Sequence, residues 1–412
     1  MSACGVGRGA PRPRIKVTGP LAPFADRWRG ELAGRGYARG PATRQLRLME
    51  QLSRYLEERD LAAADLTPQV ADGFLCVRRA GGNEGMVSRK ALVPLLGYLR
   101  GIKVVPGPDT LGGGSPAEVL LESYRSYLAV QRGLAPQSVR SYLGTARVFL
   151  TGLAAGDRPG AGWEDLSAGQ VTAFVLRATR GRSVASAKIM VTALRSLLRF
   201  LHVEGIVPAP LAQVVPSVAG WKLSSLPRAL DPGQVAGLLA SCDRGTVTGR
   251  RDYAVLMLLA RLGVRGCEVA ALELGDIDWR AGELVIRGKG SRLERLPLPG
   301  DVGEALAAYL TGGRPRCACR RLFISAVAPR AGLSASLARN VVAAASARAG
   351  LGRISAHQLR HTLAGEMLRR GAPLAEIGQV LRHRAQLTTA IYAKVDQDAL
   401  RALARPWPGG AA

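Results

Sequence analysis

Apolar residues recur three and four positions apart over most of the chain, the spacing that lines one face of an α-helix, and strand patterns are few. Two stretches share more than this texture. The first runs through DLTPQVADGFL from Asp65 and ALVPLLGYLRGIKVVP, ending at Pro106. The second runs through DLSAGQVTAFV from Asp165 and ALRSLLRFLHVEGIVP, ending at Pro208. Leu95, Leu96, Tyr98 and Leu99 match Leu197, Leu198, Phe200 and Leu201, and Gly36-Tyr37 and Gly133-Leu134 each precede a long amphipathic run. The pattern predicts two copies of one small helical domain, offset by about 100 residues. Helix starts are legible as Thr67 followed by Pro68, and as Ser167 with Gln170 three residues on.

From about 228 the pattern changes. RDYAVLMLLARLGV (251–264) has the composition of a buried helix. GELVIRGKGSRLERLPLP (282–299) reads as a strand, a Gly-Lys-Gly turn and a second strand with alternating leucine, which predicts a hairpin. More helical spacing follows. The predicted fold is mainly α with a small antiparallel β-sheet: two N-terminal helical bundles and a C-terminal domain. The predicted boundaries are a basic tail at 1–20, a bundle at 21–106, a linker at 107–116 (GPDTLGGGSP), a second bundle at 117–208, a linker at 209–227, the C-terminal domain at 228–405 and a tail at 406–412.

Charge narrows the partner. With 57 Lys+Arg against 31 Asp+Glu the net charge is +26. Such an excess repels itself and calls for a polyanion; nucleic acid is favoured over a membrane surface, although heavy Ala, Gly and Arg usage contributes to the balance. The first twenty residues lack the apolar core of a signal peptide, and the most apolar run, YAVLMLLA, is too short to span a bilayer. A soluble, intracellular, cytoplasmic protein with no membrane partner is expected. Cysteines are scattered; Cys317 and Cys319 form a C-x-C with no matching second pair, which fits a loop better than a zinc site. No carboxylate cluster suits two-metal chemistry, so neither metal nor cofactor is expected.

The chemistry gathers at the C-terminal end. The chain has four histidines, and HQLRHTLAG (357–365) carries two of them around an arginine. SAHQLRHTLAGEMLRRG reads as a helix capped by Ser355 and Gln358 and closed by Gly371 and Pro373. His357 and Arg360, three apart, share a face near its positive N-terminal end and could hold an anion, phosphate above all. A surface His–Arg pair is the plainer meaning of that motif alone. Arg265 and Glu268 in GVRGCEVAAL sit in an apolar setting where the arginine needs a partner. Lys289, between two glycines at the hairpin tip, is either a solvated charge or a mobile finger. His383 in LRH precedes Tyr392 in TTAIYAKV.

Taken in order, Arg265, Lys289, His357 with Arg360, His383 and Tyr392 resemble the tyrosine recombinase (phage integrase) family over roughly 228–405. The segment 115–208 resembles that family's core-binding domain. Two departures stand out: Arg382 replaces the usual glycine before the histidine, and Cys267 stands where serine is common before the glutamate. The first helical copy is additional to the family's minimal two-domain plan. The resemblance implies a DNA-breaking–rejoining catalytic domain that makes and reseals a 3′-phosphotyrosyl link without ATP. It assigns Tyr392 as nucleophile, Arg265 and Arg360 as the clamp on the phosphate, and Lys289 as proton donor to the leaving 5′ oxygen. It further assigns His357 to acid–base exchange with the tyrosine, His383 to a hydrogen bond to phosphate, and Glu268 to structural support. It also implies a tetramer on two DNA sites, with or without partner recombinases. A short helix capped by Asp396, with Leu400 and Leu403 on one side, would dock on a neighbour or on its own domain. The duplicated module points to integration or transposition of a mobile element. Two other outcomes share much of this residue set: a type IB topoisomerase-like enzyme, and a DNA-binding accessory protein that no longer cleaves.

Overall fold

Several helix starts fall where cap residues stand. In the computed structural model the described residues are 15–105, 115–154, 163–219, 229–288, 292–383, 389, 391 and 392. The Thr67 hydroxyl accepts the Val70 N–H at 3.3 Å, and Pro68 takes the first helical position, where its missing N–H costs nothing. Ser167 and Gln170 close a reciprocal capping box, as do Asp231 with Gln234 and Ser355 with Gln358.

The first bundle comprises α1 (Ala25–Gly34), α2 (Arg39–Glu57), α3 (Pro68–Ala80) and α4 (Arg89–Gly101). Trp28 and Tyr98, both buried, stack at 4.9 Å between ring centroids in its core. The second comprises α5 (Pro116–Ser126), α6 (Pro136–Ala154), α7 (Ala168–Thr179) and α8 (Val184–Val203). Its core gathers Tyr124, Phe149, Phe174 and Phe200. The two bundles repeat one order of elements. In each, a long second helix is followed by a single 3-10 turn (Ala63–Asp65, Trp163–Asp165) and two further helices. The matched leucines do similar work: Leu95, Leu99, Leu197, Leu198 and Leu201 are buried, and Leu96 is half-buried against its core.

By contact the chain divides into two compact units, Pro106–Ser224 and the remainder. Within the larger unit, the first bundle meets the C-terminal part where the Arg330 N–H donates to the Arg35 carbonyl at 3.0 Å. The C-terminal part contains α9 (Pro232–Ala240), α10 (Val247–Arg261), α11 (Gly266–Ala271), β1 (Ile277–Asp278), β2 (Glu283–Arg287), β3 (Leu293–Pro297), α12 (Gly300–Gly312), α13 (Ala335–Arg348), α14 (Ala356–Arg369) and α15 (Leu374–Val380). Helix α10 is its axis: every residue from Ala254 to Leu259 is buried, which is why that stretch is apolar all round.

The expected hairpin is present and gains a third strand. Antiparallel order is β1-β2-β3, with Val285 opposite Arg295 and the Gly288 N–H bonded to the Arg292 carbonyl at 2.8 Å. Leu284 and Ile286 alternate inward to the core. A smaller apolar cluster, Ala364, Ile377, Leu381 and Tyr392, forms behind α14. The hairpin tip with Lys289, the linker at 107–114, residues 1–14 of the basic tail and the expected helix after Asp396 lie outside the described residues.

Candidate active site

The site is built on the turn into α11, the first turns of α14 and the segment after α15. Gly263 adopts φ +56°, the left-handed region, with Leu363 and Leu381 packed closely where a Cβ would stand. That tight turn delivers Arg265 to the N-terminus of α11. There the Arg265 N–H donates to Glu268 Oε2 at 2.9 Å and its guanidinium donates to Glu268 Oε1 at 2.7 Å. The Arg265 side chain is still 41% exposed, so part of its donor fork faces solvent, while Glu268 is buried.

Arg360 is buried at 2% exposure, and its guanidinium donates to the carbonyls of Gly263 and Leu381. This differs from the shared His–Arg face expected on α14. Leu359, Arg360 and Thr362 follow the helix's buried side, and His357 stays at the solvent edge. Burial, then the charges of Arg265 and Arg382, push the Arg360 pKa down to about 10, while Glu268 and Tyr392 oppose them; it remains a cation at neutral pH.

Tyr392 is 1% exposed, and burial raises its hydroxyl pKa against the pull of Arg360. The ring that reaches its hydroxyl is His361: Nδ1 lies 2.9 Å from Tyr392 Oη. His357 packs edge-on against His361 with centroids 4.3 Å apart, one helical turn away. His383 lies parallel to Tyr392 at 6.2 Å, and its Nδ1 is 2.8 Å from Thr389 Oγ1. All three histidines are held below the ordinary imidazole range, first by burial and then by neighbouring cations. His361 and His383 are each pushed down to about 4, so both are neutral near pH 7.

Arg382 answers the departure from glycine. It sits at φ +54°, keeping the left-handed turn that a glycine would take without strain. Its side chain is 4% exposed, donates to Glu268 Oε2 at 2.7 Å and pairs with Glu294 on β3 at 3.3 Å. Glu268 thus lies between two arginines, and one of them ties the hairpin to the site. A groove of about 1180 Å³ opens beside them, lined in part by Arg292, Arg382, His383 and Thr389.

Of the residues expected from sequence, Arg265, Glu268, His357, Arg360, His383 and Tyr392 therefore lie in or around one cluster, and Lys289 lies outside the described residues. The contacts of His361 and Arg382 were not anticipated. His361 could have been suspected from its spacing of four from His357; nothing in a linear reading pairs Arg382 with Glu268. Among the described residues no group of three or more His, Cys, Asp or Glu is arranged to hold a metal ion. No helix among them is long and apolar enough to cross a membrane.

Comparison with known proteins places the chain in a family. Residues 228–398 match the model of the phage integrase family, and residues 121–205 match the phage integrase N-terminal SAM-like domain. A Sinorhizobium fredii protein named "Putative integrase/recombinase y4rA" is 42% identical over 95% of this chain and 96% of its own length. The tyrosine recombinase XerD of Mycobacterium tuberculosis is 32% identical over 70% of this chain and 96% of its own. The fold is similar to that of XerH bound to a palindromic difH substrate (TM-score 0.55, 18% identity, 81% of this chain and 93% of that one). It is also similar to that of a lambda integrase dimer bound to a COC′ core site (TM-score 0.52, 17% identity, 67% and 94%). The chain accordingly belongs to the phage integrase family and is a site-specific recombinase of the tyrosine class.

Proposed function

We propose that the chain cuts and rejoins double-stranded DNA through a 3′-phosphotyrosine on Tyr392, in the service of a mobile element. Attack by the tyrosine on phosphorus builds extra negative charge on the non-bridging oxygens. Arg265 and Arg360 supply fixed positive charge there, a kind of stabilisation worth ~3–4 kcal/mol per well-placed donor. Glu268 holds Arg265 in place, His383 hydrogen-bonds the phosphate, and His357 takes part in proton exchange at the tyrosine. Lys289 protonates the leaving 5′ oxygen. The bond energy is kept in the phosphotyrosine, so a second 5′-hydroxyl can reseal the strand without ATP.

The observation that carries the reading is convergence. Residues from 263 to 268, from 357 to 361 and from 381 to 383, distant in sequence, meet around one buried tyrosine, Tyr392. The domains assigned to this work are 21–106, 117–208 and 228–405; the second and third bind the duplex, and the first adds to that grip or binds a flanking site or a protein. The similar-fold lambda integrase and XerH chains are bound to DNA, the former as a dimer, which supports DNA as partner and assembly of several copies. We take the working assembly to be a tetramer on two sites, with partner recombinases where the target requires them, acting in the cytoplasm.

The test is covalent trapping. Wild-type and Tyr392→Phe protein are incubated, without metal or ATP, with duplex fragments tiling the ends of its own genetic element, then denatured in SDS. A protein–DNA adduct restricted to particular fragments, and absent with Tyr392→Phe, is the expected result. Adducts on every fragment with relaxation of supercoiled plasmid point instead to topoisomerase chemistry. Tight binding without adduct, unchanged in Tyr392→Phe, points to an accessory protein.

A further inference from the structure

We infer that His361 is a catalytic residue: its Nδ1 takes the Tyr392 hydroxyl proton as the tyrosine attacks phosphorus, and returns it when the strand is resealed. The inference rests on the recombinase reading and adds to it a proton acceptor at the nucleophile itself.

Geometry comes first. Among the described residues, His361 is the histidine hydrogen-bonded to Tyr392, at 2.9 Å, within the reach a general base needs. A phenol is a donor at neutral pH, and a neutral imidazole accepts at Nδ1 when Nε2 carries the hydrogen. The ring is fixed from both sides. His357 packs edge-on against one side at 4.3 Å, and the Tyr392 ring meets it edge-on at 5.5 Å. Helical spacing explains the pairing: His357 and His361 are one turn apart, and the later one sits deeper, beside the apolar cluster that holds Tyr392.

Charge then sets when the transfer occurs. The groups around His361 are His357 and Arg360 on α14, His383 after α15, and Tyr392. Burial, His357 and Arg360 keep the free ring neutral, so its acceptor is open. They also make the imidazolium costly, and burial keeps Tyr392 protonated. A bound phosphate shifts both: its negative charge favours the imidazolium, and the phosphorus draws electrons from the tyrosine oxygen as the bond forms. The step balances. The Tyr392 Oη–P bond forms and the P–O5′ bond breaks; the phenolic proton moves to His361. The departing 5′ oxygen takes a proton from the ammonium assigned that role above. Resealing runs both transfers backward.

The experiment is the trapping assay with wild type, His361→Gln and His357→Gln, with the rate of adduct formation followed from about pH 5 to about pH 9. The expected result is an adduct rate at least ~100-fold lower in His361→Gln, with a changed shape of the rate–pH curve, and DNA binding retained. A His361→Gln rate within about threefold of wild type overturns the inference, as does a slower rate whose pH curve keeps its shape. Labelling the four histidines with ¹⁵N in the DNA-free protein is the second readout. His361 should show an unprotonated, hydrogen-bonded Nδ1 whose shift moves in Tyr392→Phe; no movement overturns the inference even if His361→Gln fails to fold. If wild type forms no adduct with any fragment, alone or with a partner recombinase added, the cleavage reading fails, and the nitrogen shift still decides the hydrogen bond.

Discussion

His357, His361 and His383 share their surroundings with Arg360, and each is held neutral by partial burial and nearby positive charge. That has a consequence for stability. In the unfolded chain these rings titrate near 6.5; in the folded chain His361 and His383 titrate at about 4 and His357 is also lowered. Between those values the unfolded state binds protons that the folded state refuses, so folding loses stability as pH falls. Their contribution is fully present above about pH 6.5 and fades as pH drops toward about 4. Thermal melting from neutral pH downward should therefore show a falling midpoint, and His361→Gln should flatten that slope. His357, Arg360 and His361 were legible as a motif because spacings of three and four residues are enough to place them on one helix. Which ring would touch the tyrosine was not, because Tyr392 arrives from 31 residues away.

At the scale of elements, the turn after α15 shows how a local rule can be broken and compensated. Arg382 takes a left-handed φ of +54°, and its guanidinium links Glu268 of α11 to Glu294 of β3. Replacing it by glycine relieves ~1 kcal/mol of backbone strain and removes a buried ion pair worth ~3 kcal/mol when broken, for a net loss of about 2 kcal/mol. Glu268 keeps Arg265 as a partner, which sets the loss at the low end. Denaturant unfolding of Arg382→Gly should thus give a lower midpoint than wild type, although the variant restores the residue usual in the family. A midpoint equal to or above wild type would show that the ion pairs contribute nothing net. The helices around this turn were readable from capping residues and apolar spacing, and so was the β2–β3 hairpin; β1, two residues long, carries too little pattern to read.

For the whole molecule the governing quantity is charge. A chain with net charge +26 that binds DNA mainly through phosphate contacts must release counterions, so affinity should fall steeply with salt. With ~6–10 phosphates contacted, the log–log slope should be steeper than about −5, and Tyr392→Phe should leave it unchanged because the tyrosine is not a charge contact. A shallow slope would move the binding energy to the grooves and would weaken the case for a phosphate-tracking clamp.

The amino-acid sequence by itself determined the helical class, the repeat of the two bundles, the hairpin and the residue types of the site, because each is written in spacings of a few residues. Helix and strand periods, caps and the order Arg265, His357, Arg360, His383, Tyr392 are all local or ordinal facts. Only the tertiary structure decided the partners: that Arg360 turns inward to the carbonyls of Gly263 and Leu381, that His361 meets Tyr392, and that Arg382 shares Glu268 with Arg265. These are contacts between segments up to 114 residues apart. Their energies come from burial and from charges brought close in a medium that screens poorly, and neither quantity exists until the chain has folded.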